Sequence, residues 1–580
     1  MRVVMECAIP GKLLCASTSG LWNPRKVVLS RRNTGLSAHN NLCSSKFKIK
    51  AQTHHTSQVG IAKPTNLTDS DIQGFVWPSP TDEIPFWKKE FPSWDANLEL
   101  PSEQTKDSKL MHIVHVTAEM APIAKVGGLG DVVTGLARAC LSRGHTVHIM
   151  LPFYECIQKH QINDLTLITT YNSYHDGNWI PTNAYHGVVS GIPVIFLEPS
   201  CQFFKGRQVY GGSYNELEAY MFFSRACLEW MQVTGTQPDI IHVHEWQAGA
   251  LPILYWDMYH HLSLKNPRIV LTIHNMEHYG ECRQEQLSMC GLDGSLYATF
   301  DKAVDDRTVG HNPERLSLLK GGIVYSNAVV TVSPTYLKET LCSGWLSSTL
   351  MRNRDKYFGI VNGIDTTMWN PSTDVFLPSK FNVKNSEGKK LCKYYVQRGL
   401  GLASGDHVTD TTLKVPLVVC ITRLVAQKGL HLITHAIKQV EELLNQGPSI
   451  RILLMYSEEL SHLLYAAADI VLVPSMYEPC GLAQMIGMRY GAVPVVRKTG
   501  GLADTVFDMD DESNHEMANG FVFEGMDEAS LNCALDRAFA CYRNKPGEWN
   551  CIVKKVMKMD NSWNNTARKY IEIYESVTAS

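Results

Sequence analysis

Short runs of β-branched and apolar residues recur along most of this chain, separated by stretches with helical spacing. HIVHVT (112–117), TVHIML (146–151), VIFLEP (194–199), DIIHV (239–243), RIVLTI (268–273) and AVVTVS (328–333) form a first series. PLVVCIT (416–422), RILLMY (451–456), DIVLVP (469–474), AVPVVRK (492–498) and GFVF (520–523) form a second. Strands that are apolar throughout, rather than at alternate positions, must be covered on both faces, which helices between parallel strands accomplish. The pattern therefore predicts an α/β chain with two Rossmann-like, doubly wound domains facing a cleft. The break falls near 352–365, and 370–412 reads as a polar, loop-rich lead-in to the second domain.

Composition narrows the class of function. With 44% hydrophobic and 19% charged residues, the 580-residue chain can bury more than one core. Lys and Arg number 54 against 57 Asp and Glu, a balance that argues against nucleic acid as a partner. No run of 18 apolar residues exists, so no membrane span is expected. The 16 cysteines lack CxxC pairs and read as apolar packing in a reducing compartment.

The first fifty residues hold nine Lys/Arg and one acid, Glu6, with serines throughout and no long apolar segment. That is the composition of an organelle transit peptide, expected over 1–54. A linker is expected over 55–110, docking through Trp77, Trp87 and Trp94. The two globular domains are expected over 111–355 and 356–580.

Several motifs lie at strand ends, where such folds bind ligands. Lys125, Gly127 and Gly128 belong to KVGGLGD, which follows the first strand and opens a helix. Glycines there let backbone N–H groups approach a phosphate, although a dinucleotide loop would demand different spacing. His242-Val243-His244-Glu245-Trp246 ends a strand with groups suited to sugar hydroxyls and rings. Its two histidines point the same way, but a metal site would need a third ligand, and none stands nearby in sequence. His274 and Asn275 end the next strand. Arg423 and Lys428 sit at a strand–helix junction, as a diphosphate clamp would. Glu478, Gly481 and Leu482 in EPCGL close a strand and open a helix, and Thr499, Gly500 and Gly501 form a second glycine turn.

Taken in order, the KxGGL loop at 125–129, IHNMEHYG at 273–280, NGID at 362–365, RLxxQKG at 423–429, EPCGL at 478–482 and KTGGL at 498–502 resemble those of starch synthases and bacterial glycogen synthases. The resemblance covers about 111–575 and is nearest to the plant type IV and V groups. It implies the GT-B fold and retaining transfer of glucose from ADP-glucose to the non-reducing end of an α-1,4-glucan. It implies no metal and no cofactor beyond the donor substrate, and a place in the plastid stroma.

By the same resemblance His274 would lie beside the transferring glucosyl group, with Asn275 and Asn362 on sugar and phosphate. Lys125 and Gly128 would meet the donor phosphates and the acceptor side, Arg423 and Lys428 would neutralise the leaving diphosphate, and Glu478 would hold the glucose hydroxyls. Ile486 stands eight residues after Glu478 where many related glycosyltransferases carry a second glutamate, as expected for starch synthases.

Three departures from the family pattern stand out. HxHDW reads HVHEW, so Glu245 extends its carboxylate by one methylene. Glu218 and Ala219 replace arginines. About thirty residues, a whole β-α unit, are absent near 445–450. Loss of an internal strand should expose apolar faces and remove part of the phosphate and adenine surface, which raises the alternative of a weakly active or inactive glucan-binding partner in starch granule formation. No protein partner is legible.

Overall fold

The computed structural model describes residues 2–8, 76–91, 106–211, 215–264, 266–308, 315–403, 413–443, 450–455 and 457–579. Its strands are β1 (Arg2–Ala8), β2 (His112–Val116), β3 (Thr146–Pro152), β4 (Asn163–His175), β5 (Asn178–Val189), β6 (Ile192–Pro199), β7 (Ile240–His244) and β8 (Arg268–Ile273). They continue with β9 (Glu281–Arg283), β10 (Arg315–Ser317), β11 (Ala328–Thr331), β12 (Tyr357–Gly359), β13 (Leu417–Arg423), β14 (Ile450–Leu453), β15 (Ile470–Val473), β16 (Val493–Arg497) and β17 (Phe521–Phe523).

The first domain is a nine-stranded sheet in the order β12-β11-β8-β7-β2-β3-β6-β5-β4. It is parallel from β12 to β6, and the apolar runs of the sequence are these strands. Ile113, Val147, Ile240, Leu271 and Val330 are fully buried between the helix layers. β5 and β4 instead run antiparallel, joined by a tight turn in which Asp176 and Gly177 both have positive φ. The apolar-run pattern skips 163–189 because most of β4 faces solvent, and a one-sided ribbon need not be apolar throughout.

The second sheet has the order β14-β1-β13-β15-β16-β17 and is parallel throughout. Here the structure corrects one expectation. Residues 2–8, expected to belong to a leader, form the strand beside β13. Arg2 to Ala8 pair in register with Leu417 to Arg423 on one side, and Val3 to Glu6 pair with Ile450 to Leu453 on the other. Apolar surface is exposed at the sheet's outer edge, where Ile452 and Leu454 are 47% and 60% exposed. Residues 9–54 of the expected leader lie outside the described residues.

Two further segments differ from the sequence reading. The lead-in expected to be loop-rich contains the helix Glu387–Gly399. Two of its three lysines hid the pattern: Lys389 and Lys393 are buried, the first donating to the carbonyls of Ala466 and Tyr490 and the second pairing with Asp469. The linker docks on this helix through Trp77, edge-on to Tyr394 at 4.7 Å, and through Phe86, which is 2% exposed against Tyr395. Trp87 packs half-buried beside Phe86, and Trp94 lies outside the described residues.

The last helix, Trp563–Ala579, returns to the first domain, where Trp563, Tyr570 and Tyr574 join its core. A Cβ on Gly135 would meet the Trp563 indole at 2.0 Å, so only glycine admits this crossing. The return passes beside the outward crossover: Ile364 bridges to Ser562, and its N–H donates to the Asn561 carbonyl at 2.8 Å.

If β1 holds the second sheet together, a chain starting at Gly74 should lose at least ~3 kcal/mol of stability, since a central strand carries several backbone hydrogen bonds of about 1 kcal/mol net each. A synthetic peptide of residues 1–12 added in trans should restore the melting temperature. An unchanged melting temperature on truncation would show that β1 does not sustain the sheet. Removal of a leader at residue 54 would also remove β1, so the first residue of the mature chain, read by mass spectrometry, decides between the two fates of this segment.

Candidate active site

In parallel sheets, ligands bind beyond the strand C-termini where the strand order reverses. Those points are β2/β7 in the first sheet and β13/β15 in the second. Lys125, Gly127 and Gly128 follow β2, Glu245 follows β7, and His274 and Asn275 follow β8. Arg423 closes β13 with Lys428 just beyond it. Glu478, Gly481 and Leu482 follow β15, while Thr499, Gly500 and Gly501 follow β16.

The fold brings the two groups face to face. A Cβ on Gly128 would touch the Leu482 side chain at 3.4 Å. Tyr477 of the second domain neighbours Asn275 and Glu277 of the first, and the Met276 N–H donates to the Tyr336 hydroxyl at 3.0 Å.

On the second-domain side, Lys428 Nζ lies 2.5 Å from Glu478 Oε2, which also accepts from Ser475 Oγ at 2.8 Å. Arg423 is half-buried beside Tyr477. The loop after β16 locks onto the loop after β15: the Gly501 N–H donates to the Glu478 carbonyl at 3.0 Å, and a Cβ there would sit 1.9 Å from the Cys480 carbonyl oxygen. Gly481, with φ of +76°, opens the turn into the helix Ala483–Arg489.

Thr499 and Gly500 are engaged from the other domain. Glu339 accepts from Thr499 Oγ1 at 3.1 Å and from the Gly500 N–H at 2.9 Å, while Asp504 accepts from the Thr335 N–H and hydroxyl. The helix Pro334–Cys342 that carries Glu339 thus straps the domains together. Glu339 carried no sequence signal, because its partner lies 161 residues away. Asn362, on the crossover, is buried beside Cys480 with its Oδ1 unpartnered.

On the first-domain side, Lys125 pairs with Asp131 at 2.9 Å. The loop is held by Glu119, whose Oε2 accepts from the Val126 and Gly127 N–H groups at 2.9 Å and whose Oε1 accepts from the Tyr210 hydroxyl. Sequence reasoning passed over Glu119, although a carboxylate just after a strand and ahead of a glycine loop is a usable signal. Glu218 bonds Asn215, and Ala219 is fully buried, so neither position contributes a cation.

Glu245 has φ of +62°, and its carboxylate accepts from the backbone N–H groups of His274 and Asn275. The added methylene thus reaches the neighbouring strand's exit loop, and Glu245 fixes the backbone that presents His274. Burial pushes its carboxyl up to about 8, against the opposing effect of the backbone N–H bonds. Beneath it lie four imidazoles, and His115 on β2 is the third ring that the sequence did not reveal next to His242 and His244. Nitrogens of these three lie within 4.8 Å of one another. His242 bonds Tyr574 at 2.8 Å and Thr272 at 2.6 Å, while His244 bridges His115 and His274 at 3.1 Å each. Burial holds all four well below the usual histidine range, His115 and His274 down to about 3, so they are neutral near pH 7.

The raised carboxyl of Glu245 gives a pH signature. An acid with a folded pKa near 8 and an unfolded value near 4.5 binds its proton more tightly in the native state. Its stabilising contribution is full below the unfolded value and is lost as pH rises through 8. Glu245→Gln keeps an acceptor for both N–H groups and cannot ionise, so its melting temperature should fall less than wild type's between pH 5 and 8. Parallel curves for the two proteins would refute the buried-acid reading.

The comparisons with known proteins agree with this geometry. Residues 112–345 match the family model described as the starch synthase catalytic domain. The chain is 43% identical over 519 residues to a probable starch synthase 4, chloroplastic/amyloplastic, of Arabidopsis thaliana, covering 84% of this chain and 49% of that protein, so it spans about half that relative's length. It is 39% identical to the glycogen synthase of Protochlamydia amoebophila, covering 81% of this chain and all of that protein. Among solved structures, the catalytic domain of starch synthase IV from Arabidopsis thaliana, bound to ADP and acarbose, superposes with a TM-score of 0.76 at 42% identity, covering 81% of this chain and all of that one. With its two facing α/β domains and this agreement along nearly the whole of a glycogen synthase, the chain belongs to the starch synthase and glycogen synthase family of glycosyltransferases and has their GT-B fold.

Proposed function

We propose that this protein is a retaining glucosyltransferase that moves glucose from ADP-glucose to the non-reducing end of an α-1,4-glucan in starch biosynthesis. The observation that carries the reading is the pairing of Lys428 with Glu478 at one switch point, with Arg423 beside Tyr477, which in turn neighbours Asn275 of the other. A departing diphosphate needs positive charge fixed in advance, and Arg423 with Lys428 provides it. Without ligand, Glu478 balances Lys428. With donor bound, the carboxylate turns to glucose hydroxyls and the ammonium to the phosphates.

Asn362, buried with an unpartnered Oδ1, gains a donor from sugar or nucleotide. Lys125, with Gly127 and Gly128, lines the acceptor side beside Leu482. That a starch synthase IV catalytic domain is found with ADP and acarbose supports a nucleotide and a glucan-like sugar sharing the same cleft here. The chloroplastic/amyloplastic relative and the basic, serine-bearing leader support a plastid location.

A second reading, a glucan-binding partner with little or no transferase activity, is favoured by one observation. The second sheet is completed by a strand from the far end of the sequence, β1, and not by one next to β13 in the chain.

The test is incorporation of labelled glucose from ADP-glucose into glycogen by the full chain. Lys428→Ala should lower the rate by about a hundredfold to a thousandfold, and Glu478→Ala should abolish incorporation, as expected when a preorganised electrostatic group is removed. A folded protein that binds maltooligosaccharide yet incorporates nothing would overturn the transferase reading and leave the second.

A further inference from the structure

The imidazoles of His115, His244 and His274 form a line running from the buried centre of the first sheet to the cleft. His115 Nδ1 lies 3.1 Å from His244 Nε2, and His244 Nδ1 lies 3.1 Å from His274 Nε2. The first two rings are fully buried and the third is half-buried. Strand geometry makes the line: β2 pairs with β7 so that His115 sits level with His242, one pleat from His244, and β8 follows β7 so that His274 continues past its end.

From this line we infer that His115 and His244 are positioning residues that fix His274 as its Nδ1–H tautomer, presenting a hydrogen-bond donor to the cleft. The inference rests on the proposed transferase reading only for what the donor meets, a sugar oxygen of the bound donor substrate.

The argument is one of proton counting. A neutral imidazole carries one N–H, and each of the two bonds needs one donor and one acceptor. Two orders satisfy both bonds. In one, every proton is on Nδ1: His115 donates to His244, His244 donates to His274 Nε2, and His274 Nδ1–H is left for the cleft. In the other, every proton is on Nε2 and the donors point inward, which leaves His115 Nε2–H at the inner end.

That inner atom decides the order. His115 Nε2 is buried and without a hydrogen-bond partner. An orphaned buried N–H is rarer and more costly than an unfilled acceptor lone pair, so the lone pair belongs there and the protons lie on Nδ1. Burial, which lowers the pKa of all three rings, removes the doubly protonated forms that would break the count. His242 stands outside the line, because Tyr574 and Thr272 occupy its two nitrogens.

The test reads the tautomer directly and independently of activity. In the full chain with 15N-labelled histidine, His274, assigned by loss of its signals in His274→Asn, should show a protonated Nδ1 and an unprotonated Nε2. The reverse pattern, or stoichiometric zinc in the purified protein, would overturn the inference whether or not the protein transfers glucose. His115→Phe keeps a ring without a donor, and His274 should then lose its single tautomer. kcat should fall at least about tenfold with KM for ADP-glucose little changed, since a wrongly set tautomer acts on the chemical step. His115→Asn, whose side-chain amide stands near the position of Nδ1, should restore both. A wild-type tautomer and wild-type kcat in a folded His115→Phe would overturn it equally.

Discussion

A parallel strand in the middle of a sheet has two hydrogen-bond ladders to fill and two faces to cover, and the position of everything at its C-terminal end depends on both being met. β13 is that strand in the second domain, because Arg423 is its last residue and Lys428 lies one turn beyond. With β15 on one side and β1 on the other, its end is held where Glu478 can meet Lys428. The chain does not fill this slot with a strand adjacent in sequence. It satisfies the same physical demand with a segment more than four hundred residues away in sequence, at the expense of an edge that exposes Ile452 and Leu454.

The first domain answers a different demand, that of burying polar groups without leaving them unpaired. Glu119 and Glu245 are both buried carboxylates, and both are satisfied largely by backbone N–H groups of loops that face the cleft. Each turns a loop that could be mobile into a defined one. The histidine line beneath them works in the same way, with four of its six ring nitrogens bonded to one another and one orphaned lone pair giving the line its direction. The two domains are joined by comparable means. Glu339 and Asp504 satisfy backbone N–H groups across the boundary, and the final helix anchors itself in the first core through Trp563 and Tyr574.

Residues whose chemistry and place follow from a strand end were legible in the sequence. Arg423, Lys428, Glu478, His274 and Asn275 each close or follow an apolar run, and the glycines at 500 and 501 stand where only a bare backbone fits against neighbouring carbonyls. The parallel strands were legible for the same reason, since burial on both faces writes continuous apolar runs into local sequence. The β4–β5 ribbon and the helix Glu387–Gly399 were not. One faces water along most of a strand, and the other carries lysines whose burial makes sense only beside Asp469 and the carbonyls they reach.

What the sequence determined alone was the doubly wound class, the family, and the charged and glycine-bearing loops of the cleft, because each depends on residues close together along the chain. What only the tertiary structure decided were relations between distant residues. These are β1 in the second sheet, His115 as the third ring beside His242 and His244, Glu339 on the glycine turn, and Glu245 on the backbone N–H groups of His274 and Asn275. The physical reason is common to them all: a hydrogen bond between groups far apart in sequence leaves no period or spacing behind, and it becomes visible only when the fold brings donor and acceptor within reach.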